Sequence, residues 1–168
     1  MGFQCRKHTR PPSTDIPGLP PSTQTGANTL GFLLNGQPWT PEGNNGTANL
    51  SIDFDPGFNN GIFGIHAYRL ISQTDKSSFG IGIRDSLNLL SIPFKRTLYK
   101  TSIFGAGYSD WDSCTLYSHY NSVWSNGEIS IDKLDRNQRI ISGRFELMLH
   151  ESGCDTIKIT NGRFDMKF

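Results

Sequence analysis

A two-residue rhythm of apolar and polar side chains constrains this chain more than any other feature. Leu50, Ile52 and Phe54 alternate with Ser51, Asp53 and Asp55, and Ile129 and Ile131 alternate with Ser130 and Asp132. Ile141, Gly143, Phe145, Leu147 and Leu149 alternate with Ser142, Arg144, Glu146, Met148 and His150. Ile157 and Ile159 then alternate with Lys158 and Thr160, and Phe164, Met166 and Phe168 with Asp165 and Lys167. Successive side chains of a strand point to opposite faces, so this rhythm sets one face on a core and the other in water. A helix needs apolar residues at i, i+3, i+4 and i+7, and only 85–92 comes near that spacing. Further strands are expected near 62–71, 78–84, 97–106 and 113–120.

Turn chemistry points the same way. Asn-Gly occurs five times, at Asn35-Gly36, Asn45-Gly46, Asn60-Gly61, Asn126-Gly127 and Asn161-Gly162. Both residues tolerate the positive φ that a two-residue hairpin turn demands at its centre. Asn35-Gly36 is expected to join Leu30–Leu34 to Gln37–Thr40, and Asn161-Gly162 to form a terminal hairpin between Ile157–Thr160 and Arg163–Phe168. The resulting fold class is all-β, an antiparallel β-sandwich or barrel of roughly nine to eleven short strands. With 18 Gly and 11 Phe among 168 residues and only 18% charged, the composition suits short strands and tight turns rather than helices.

Residues 5–25 carry five prolines and many Ser and Thr, with almost no apolar content. Such a segment buries too little to offset its chain entropy, and proline favours extended polyproline II backbone. The expected organisation is a disordered leader and tether over 1–25 and a single β domain over 26–168. No stretch of about 18 apolar residues is present to span a bilayer as a helix, and no apolar core of a signal peptide precedes Cys5. A cysteine followed by a basic, proline-rich linker nevertheless matches the start of a mature bacterial lipoprotein. On that reading Met1–Gln4 is the remnant of an export signal and Cys5 carries lipid. Gln4 departs from the pattern, which puts a small residue before the cysteine; the alternative is a free thiol in a polar tail. Arg6, Lys7 and Arg10 would each add about 1 kcal/mol at an anionic membrane surface, or are solvated tail charges.

If Cys5 carries lipid, Cys114 and Cys154 remain as one pair, either free thiols or a disulfide in an oxidising compartment. A bond between them would be worth about 3–4 kcal/mol in the chain-entropy model. No Cys/His spacing suits zinc.

Three stretches together resemble a known family. The run Leu19-Pro-Pro-Ser-Thr-Gln-Thr-Gly-Ala-Asn-Thr-Leu-Gly, followed by Leu34-Asn-Gly and Trp39, is similar to the opening of a family of exported lipoproteins common in Bacteroidota. Asn126-Gly-Glu-Ile-Ser-Ile-Asp-Lys-Leu-Asp with Ile141-Ser-Gly-Arg-Phe-Glu resembles its middle, and Ile159-Thr-Asn-Gly-Arg-Phe-Asp-Met-Lys-Phe its close. Residues 50–125 show no such likeness. Where that family has Cys, this chain has Phe32. The resemblance implies lipidation at Cys5, a location in the cell envelope and a β fold; it implies no activity.

Candidate sites are few. Asp53-Phe-Asp55-Pro-Gly-Phe-Asn-Asn60-Gly61 alternates oxygen-bearing side chains like the start of a calcium loop. Phe58 and Gly64, however, stand where an EF-hand needs Gly and Glu, so a polar connection is expected instead. Tyr108, Asp110, Trp111 and Asp112 form the best candidate for a ligand surface, aromatic rings beside carboxylates that stack on sugars and hold their hydroxyls, with Tyr117, His119, Tyr120 and Trp124 following. Trp111 is expected to be exposed and Trp124 to pack. Aromatics also fill ordinary cores. Of the histidines, His66 reads as a core residue in an apolar strand, while Ser118 and His119 fall on opposite strand faces and make no dyad. No nucleophile elbow, HExxH or P-loop is present, and Phe104-Gly-Ala-Gly-Tyr is a lone GxG. No catalytic, cofactor or metal residue is assigned, and a net charge of +1 gives no field for nucleic acid. The expectation is a non-enzymatic envelope lipoprotein domain, a binding or structural module whose partners are a membrane through Cys5 and a glycan, peptide or envelope protein.

Overall fold

The computed structural model describes residues 16–99 and 102–168. Among them are eleven strands: β1 Thr29–Leu34, β2 Gln37–Trp39, β3 Leu50–Asp55, β4 Ile62–Leu70, β5 Lys76–Ile83, β6 Phe94–Leu98, β7 Phe104–Asp110, β8 Thr115–Tyr117, β9 Trp124–Asp135, β10 Ile140–His150 and β11 Ile157–Lys167. One sheet runs β2-β1-β11-β10-β9-β6 and the other β3-β4-β5-β7-β8, with every pairing antiparallel. Each sheet keeps two edges, so the fold is a sandwich and not a closed barrel. The stretch 97–106 is not one strand: the chain leaves β6 of the first sheet and enters β7 of the second within it. The 85–92 segment holds only a single 3₁₀ turn, Leu87–Leu89.

The inner faces meet as the alternation requires. Phe145, Leu147 and Leu149 of β10 and Ile129 and Ile131 of β9 are buried against Phe63, Ile65, Phe79 and Ile81 of β4 and β5. Phe32 lies at the centre, its ring stacked on Trp39 at 4.7 Å and packed against Phe79 and Phe145. Trp39 Nε1 donates to Ser77 Oγ of the opposite sheet at 2.9 Å, which satisfies the one polar group of that ring.

Of the five Asn-Gly pairs, Asn35-Gly36 makes the expected two-residue hairpin, with φ of 48° and 86°. Asn60-Gly61 ends the longer loop between β3 and β4, and Asn126-Gly127 lies inside β9. Asn161-Gly162 is no hairpin at all. β11 runs straight through it and spends three residues against two, both on β1 between Gly31 and Leu33 and on β10 between Phe145 and Leu147. This is a β-bulge, with Asn161 at φ 55°, and the Phe145 ring packs where a Cβ on Gly162 would stand.

Residues 16–25, expected to be part of a disordered tether, are not free. They lie on the outer face of the first sheet, where Arg163 Nη1 donates to Pro20 O and Pro20 covers Gly31. Asp165 faces outward from β11 yet is only 1% exposed, because this segment wraps it. Its carboxylate accepts from Thr23 Oγ1 at 2.6 Å, from the backbone N–H of Thr25 and Gly26 at 2.8 Å each, and from Ala27 N–H at 3.3 Å. Burial alone would push this carboxyl upward, but the hydrogen bonds from Thr23, Thr25, Gly26 and Ala27 outweigh it and hold the group below the ordinary carboxylate range. Residues 1–15, with Cys5, lie outside those described.

Cys114, after β7, and Cys154, between β10 and β11, are joined by a disulfide with Cα atoms 5.9 Å apart. The bond ties the two sheets together at one end of the sandwich.

Candidate functional site

The outer face of the second sheet is unusual for what it lacks. Phe63, Ile65 and Ala67 of β4, Phe79, Ile81 and Ile83 of β5, and Phe104, Ala106 and Tyr108 of β7 all point inward. The alternating partners that point outward are largely glycines: Gly64 on β4, Gly80 and Gly82 on β5, Gly105 and Gly107 on β7. Register sets them side by side, Gly64 against Gly82 against Gly105, and Gly80 against Gly107. Without side chains over the middle of three strands, a trench of about 830 Å³ opens there. That falls within the range of roughly 300–1,000 Å³ usual for small-ligand sites.

Rings wall the trench at both ends. His66 follows Gly64 by two residues and lies across it, its Nε2 3.2 Å from where a Cβ on Gly64 would sit and its Nδ1 3.6 Å from one on Gly80. At the other end the Tyr117 ring rests on Gly107, its register partner on β8. His119 stacks on Tyr117 with centroids 5.6 Å apart, and Tyr120 meets both rings edge-on. The floor between the rings is Gly82 and Gly105, and a Cβ on Gly105 would have no neighbour closer than 3.8 Å.

Polar groups sit around the rim. His66 Nε2 stands 3.5 Å from Asp53 Oδ2 of β3, and both side chains are well exposed. Arg84 is pinned by donating from Nη2 to Ser102 O at 2.9 Å, which leaves its Nε beside Gly105. Asp85 lies next to it and accepts from Ser86 Oγ. Ser102 and Ser118 near the floor are buried and engaged with backbone: Ser102 Oγ donates to Thr97 O, and Ser118 Oγ accepts from Ala106 N–H. Rings, rim hydrogen-bonding groups and a bare floor are equipment for holding a ligand by its faces and edges.

The sequence-predicted ligand surface does not assemble. Tyr108 points into the core at 7% exposure, where burial, above all, pushes its phenol up. Asp110 closes its own turn by accepting from Asp112 N–H and Ser113 Oγ, and Asp112 stands 3.7 Å from Lys76 Nζ. Trp111 is exposed, as the sequence suggested, but contacts Tyr68 rather than a cleft. His66 is not a core residue, and Trp124 does not pack, being 52% exposed. In the Asp53–Gly61 stretch, Asp55 Oδ1 caps a turn by accepting from Gly57 and Phe58 N–H, while Asp53 faces His66. Among the described residues no three His, Cys, Asp or Glu converge as metal ligands. No helix among the described residues is long and apolar enough to cross a membrane.

A second groove, of about 690 Å³, lies on the outer face of the first sheet. Four of its charges are spent on one another: Arg144 makes two hydrogen bonds to Asp132 at 2.9 and 3.0 Å, and Lys95 pairs with Glu128 at 2.8 Å. The trench has the freer groups. Fold and trench together define the class, an antiparallel β-sandwich with an open, ring-walled trench on the face of one sheet. Comparison with protein-family models, with curated proteins and with solved structures finds no match to this chain.

Proposed function

We propose that this chain is a non-catalytic binding module, held at the cell envelope through lipid on Cys5, and that the trench on the outer face of β4, β5 and β7 is its binding face. The observation that carries the binding reading is the trench itself: three adjacent strands give up their outward side chains at matching positions, and an exposed ring, His66, and a half-buried one, Tyr117, bound the gap. Gly82 and Gly107 serve the sheet's own packing, since a Cβ there would run into Phe63 O or the Tyr117 ring, but at Gly64, Gly80 and Gly105 a Cβ would meet nothing closer than 3.2 Å, and a bare strand position weakens the sheet. The anchoring reading is supported by the composition around Cys5 and by the resemblance to exported lipoproteins. A disulfide at Cys114–Cys154 accords with an oxidising compartment. A single acyl chain holds a protein only marginally, so stable attachment needs the several chains a lipoprotein cysteine carries.

Two experiments test this. Nitrogen-15-labelled domain is titrated with detergent-free envelope extract, split into a polysaccharide and a protein fraction. Amide shifts confined to Gly64, Gly80, Gly82, Gly105 and Gly107 are expected with at least one fraction, and shifts at none of them refute the binding face. For the anchor, the gene is expressed with its upstream codons in a bacterial host; an unmodified mass for the Cys5 peptide removes the lipid.

A further inference from the structure

The trench's chemistry narrows what it takes, and this step rests on the binding face proposed above. We infer that the ligand is a neutral glycan chain, laid across the strands with its sugar rings against His66 and Tyr117.

The backbone excludes a peptide strand. An extended peptide is captured at a sheet edge, through free N–H and C=O groups. Here the floor belongs to β4 and β5, each paired on both sides, and to β7, which is paired with β5 along its length and closed on its other side by β8 and, at Ala106, by Ser118. The floor therefore offers contact area but no ladder. A ligand must be gripped from its flat faces and from its rim, and a sugar ring presents C–H-rich faces and an edge of hydroxyls. The His66 ring approaches within 3.2 Å of where a Cβ on Gly64 would sit and the Tyr117 ring covers Gly107, so a chain resting between them meets a ring on either side. From Gly64 on β4, beside His66, to Gly107 on β7, under Tyr117, the sheet runs two inter-strand spacings, about 10 Å, so contact with both rings calls for more than one sugar.

Charge chooses among glycans. The rim carries Asp53 and Asp85 against Arg84. Two carboxylates facing one guanidinium repel a polyanion and leave hydroxyls as the groups to be bound. Asp53 and Asp85 accept from hydroxyls, and the N–H groups of Arg84 not turned to Ser102 donate to them.

The test is affinity electrophoresis of the folded domain through native gels holding hydroxyethylcellulose, laminarin, xylan, galactomannan, soluble starch or polygalacturonate. At least one neutral polymer is expected to retard the wild type, and polygalacturonate to do so less than that polymer. Gly105→Phe, which fills open floor, and His66→Ala, an exposed site, are each expected to weaken the retardation about ten-fold, as is Tyr117→Ala. Trp111→Ala, outside the trench, is expected to stay within about two-fold of wild type. Retardation by none of the neutral polymers overturns the inference, and so does strongest retardation by polygalacturonate. Retardation indifferent to Gly105→Phe and His66→Ala moves binding elsewhere and overturns it too. If the glycine amides answer only to the protein fraction of the envelope extract, the binding face survives and the glycan does not.

Discussion

Replacing Asp165 by Asn exchanges one oxygen of a buried carboxylate for an amide nitrogen, at a site where every neighbour is a donor. The carboxylate receives Thr23 Oγ1–H, Thr25 Oγ1–H and the N–H groups of Thr25, Gly26 and Ala27. Asn can keep its oxygen at the Oδ2 position, which takes four of these. Its NH₂ then confronts the Gly26 N–H that pointed at Oδ1. One charge-assisted bond is lost, one buried N–H is left unpaired, and the remaining bonds become neutral, for a total of about 2–4 kcal/mol. For a domain of this size that lowers Tm by about 4–16 °C. Urea unfolding followed by near-ultraviolet circular dichroism measures it, with an unchanged m-value as the check that only stability moved. The pH dependence supplies a second readout. A carboxyl held below its unfolded value of about 3.9 contributes its full stabilisation above that pH and loses it as pH falls through the folded value. The gap between wild type and Asp165→Asn should therefore be constant from neutral pH down to about pH 5 and close below about pH 4. A variant within about 0.5 kcal/mol of wild type at neutral pH, or a gap that persists in acid, refutes the clasp.

Three further outcomes follow from the packing. Cys114→Ser with Cys154→Ser should cost about 3–4 kcal/mol in chemical denaturation and raise hydrogen exchange in β8, which has only three residues and loses its tie to the other sheet. Phe32→Ala removes the ring shared by Trp39, Phe79 and Phe145 and should cost about 3–5 kcal/mol, measured the same way. Gly105→Phe should leave unfolding free energy within about 1 kcal/mol of wild type, since its Cβ would make only ordinary contacts, with Arg84 Nε at 3.8 Å and Ser118 Oγ at 3.9 Å. A large loss there would mean the trench floor is packed rather than open.

The fold was legible because alternation is a property of each strand taken alone. Strands 50–55, 140–150 and 157–160 could be read without their neighbours. The terminal bulge could not. Ile157 and Ile159 face inward at odd positions, Phe164 and Met166 at even ones, and either a two-residue hairpin or one inserted residue produces that change of phase. Asn-Gly permits both, since it specifies positive φ and not a reversal of the chain. His66 was readable in principle, because Ile65 and Ala67 are inward and a strand leaves His66 no choice but outward. The opening segment misled because low apolar content speaks only to hydrophobic burial. Thr23–Ala27 is held by polar bonds to a carboxylate about 140 positions away, a partner that no local window contains. The candidate site was legible only in fragments. Gly80-Ile-Gly82 and Gly105-Ala-Gly107 place glycines at strand period, but that they align across β5 and β7 is a matter of register between distant segments. Tyr117 and His119 stood in the aromatic stretch, whereas Trp111, the residue that drew attention there, turns away from them.

β1 has β11 as its sheet neighbour, the last of the eleven strands in chain order, and Asp165 of β11 also secures the residues that lead into β1. While the nascent chain leaves the ribosome, the first strand has its hairpin companion β2 but not the partner that buries its other edge. The sandwich can be completed only after β11 emerges, so its closure waits on contacts between residues more than 120 positions apart, and the long loop these must close slows the final step of folding.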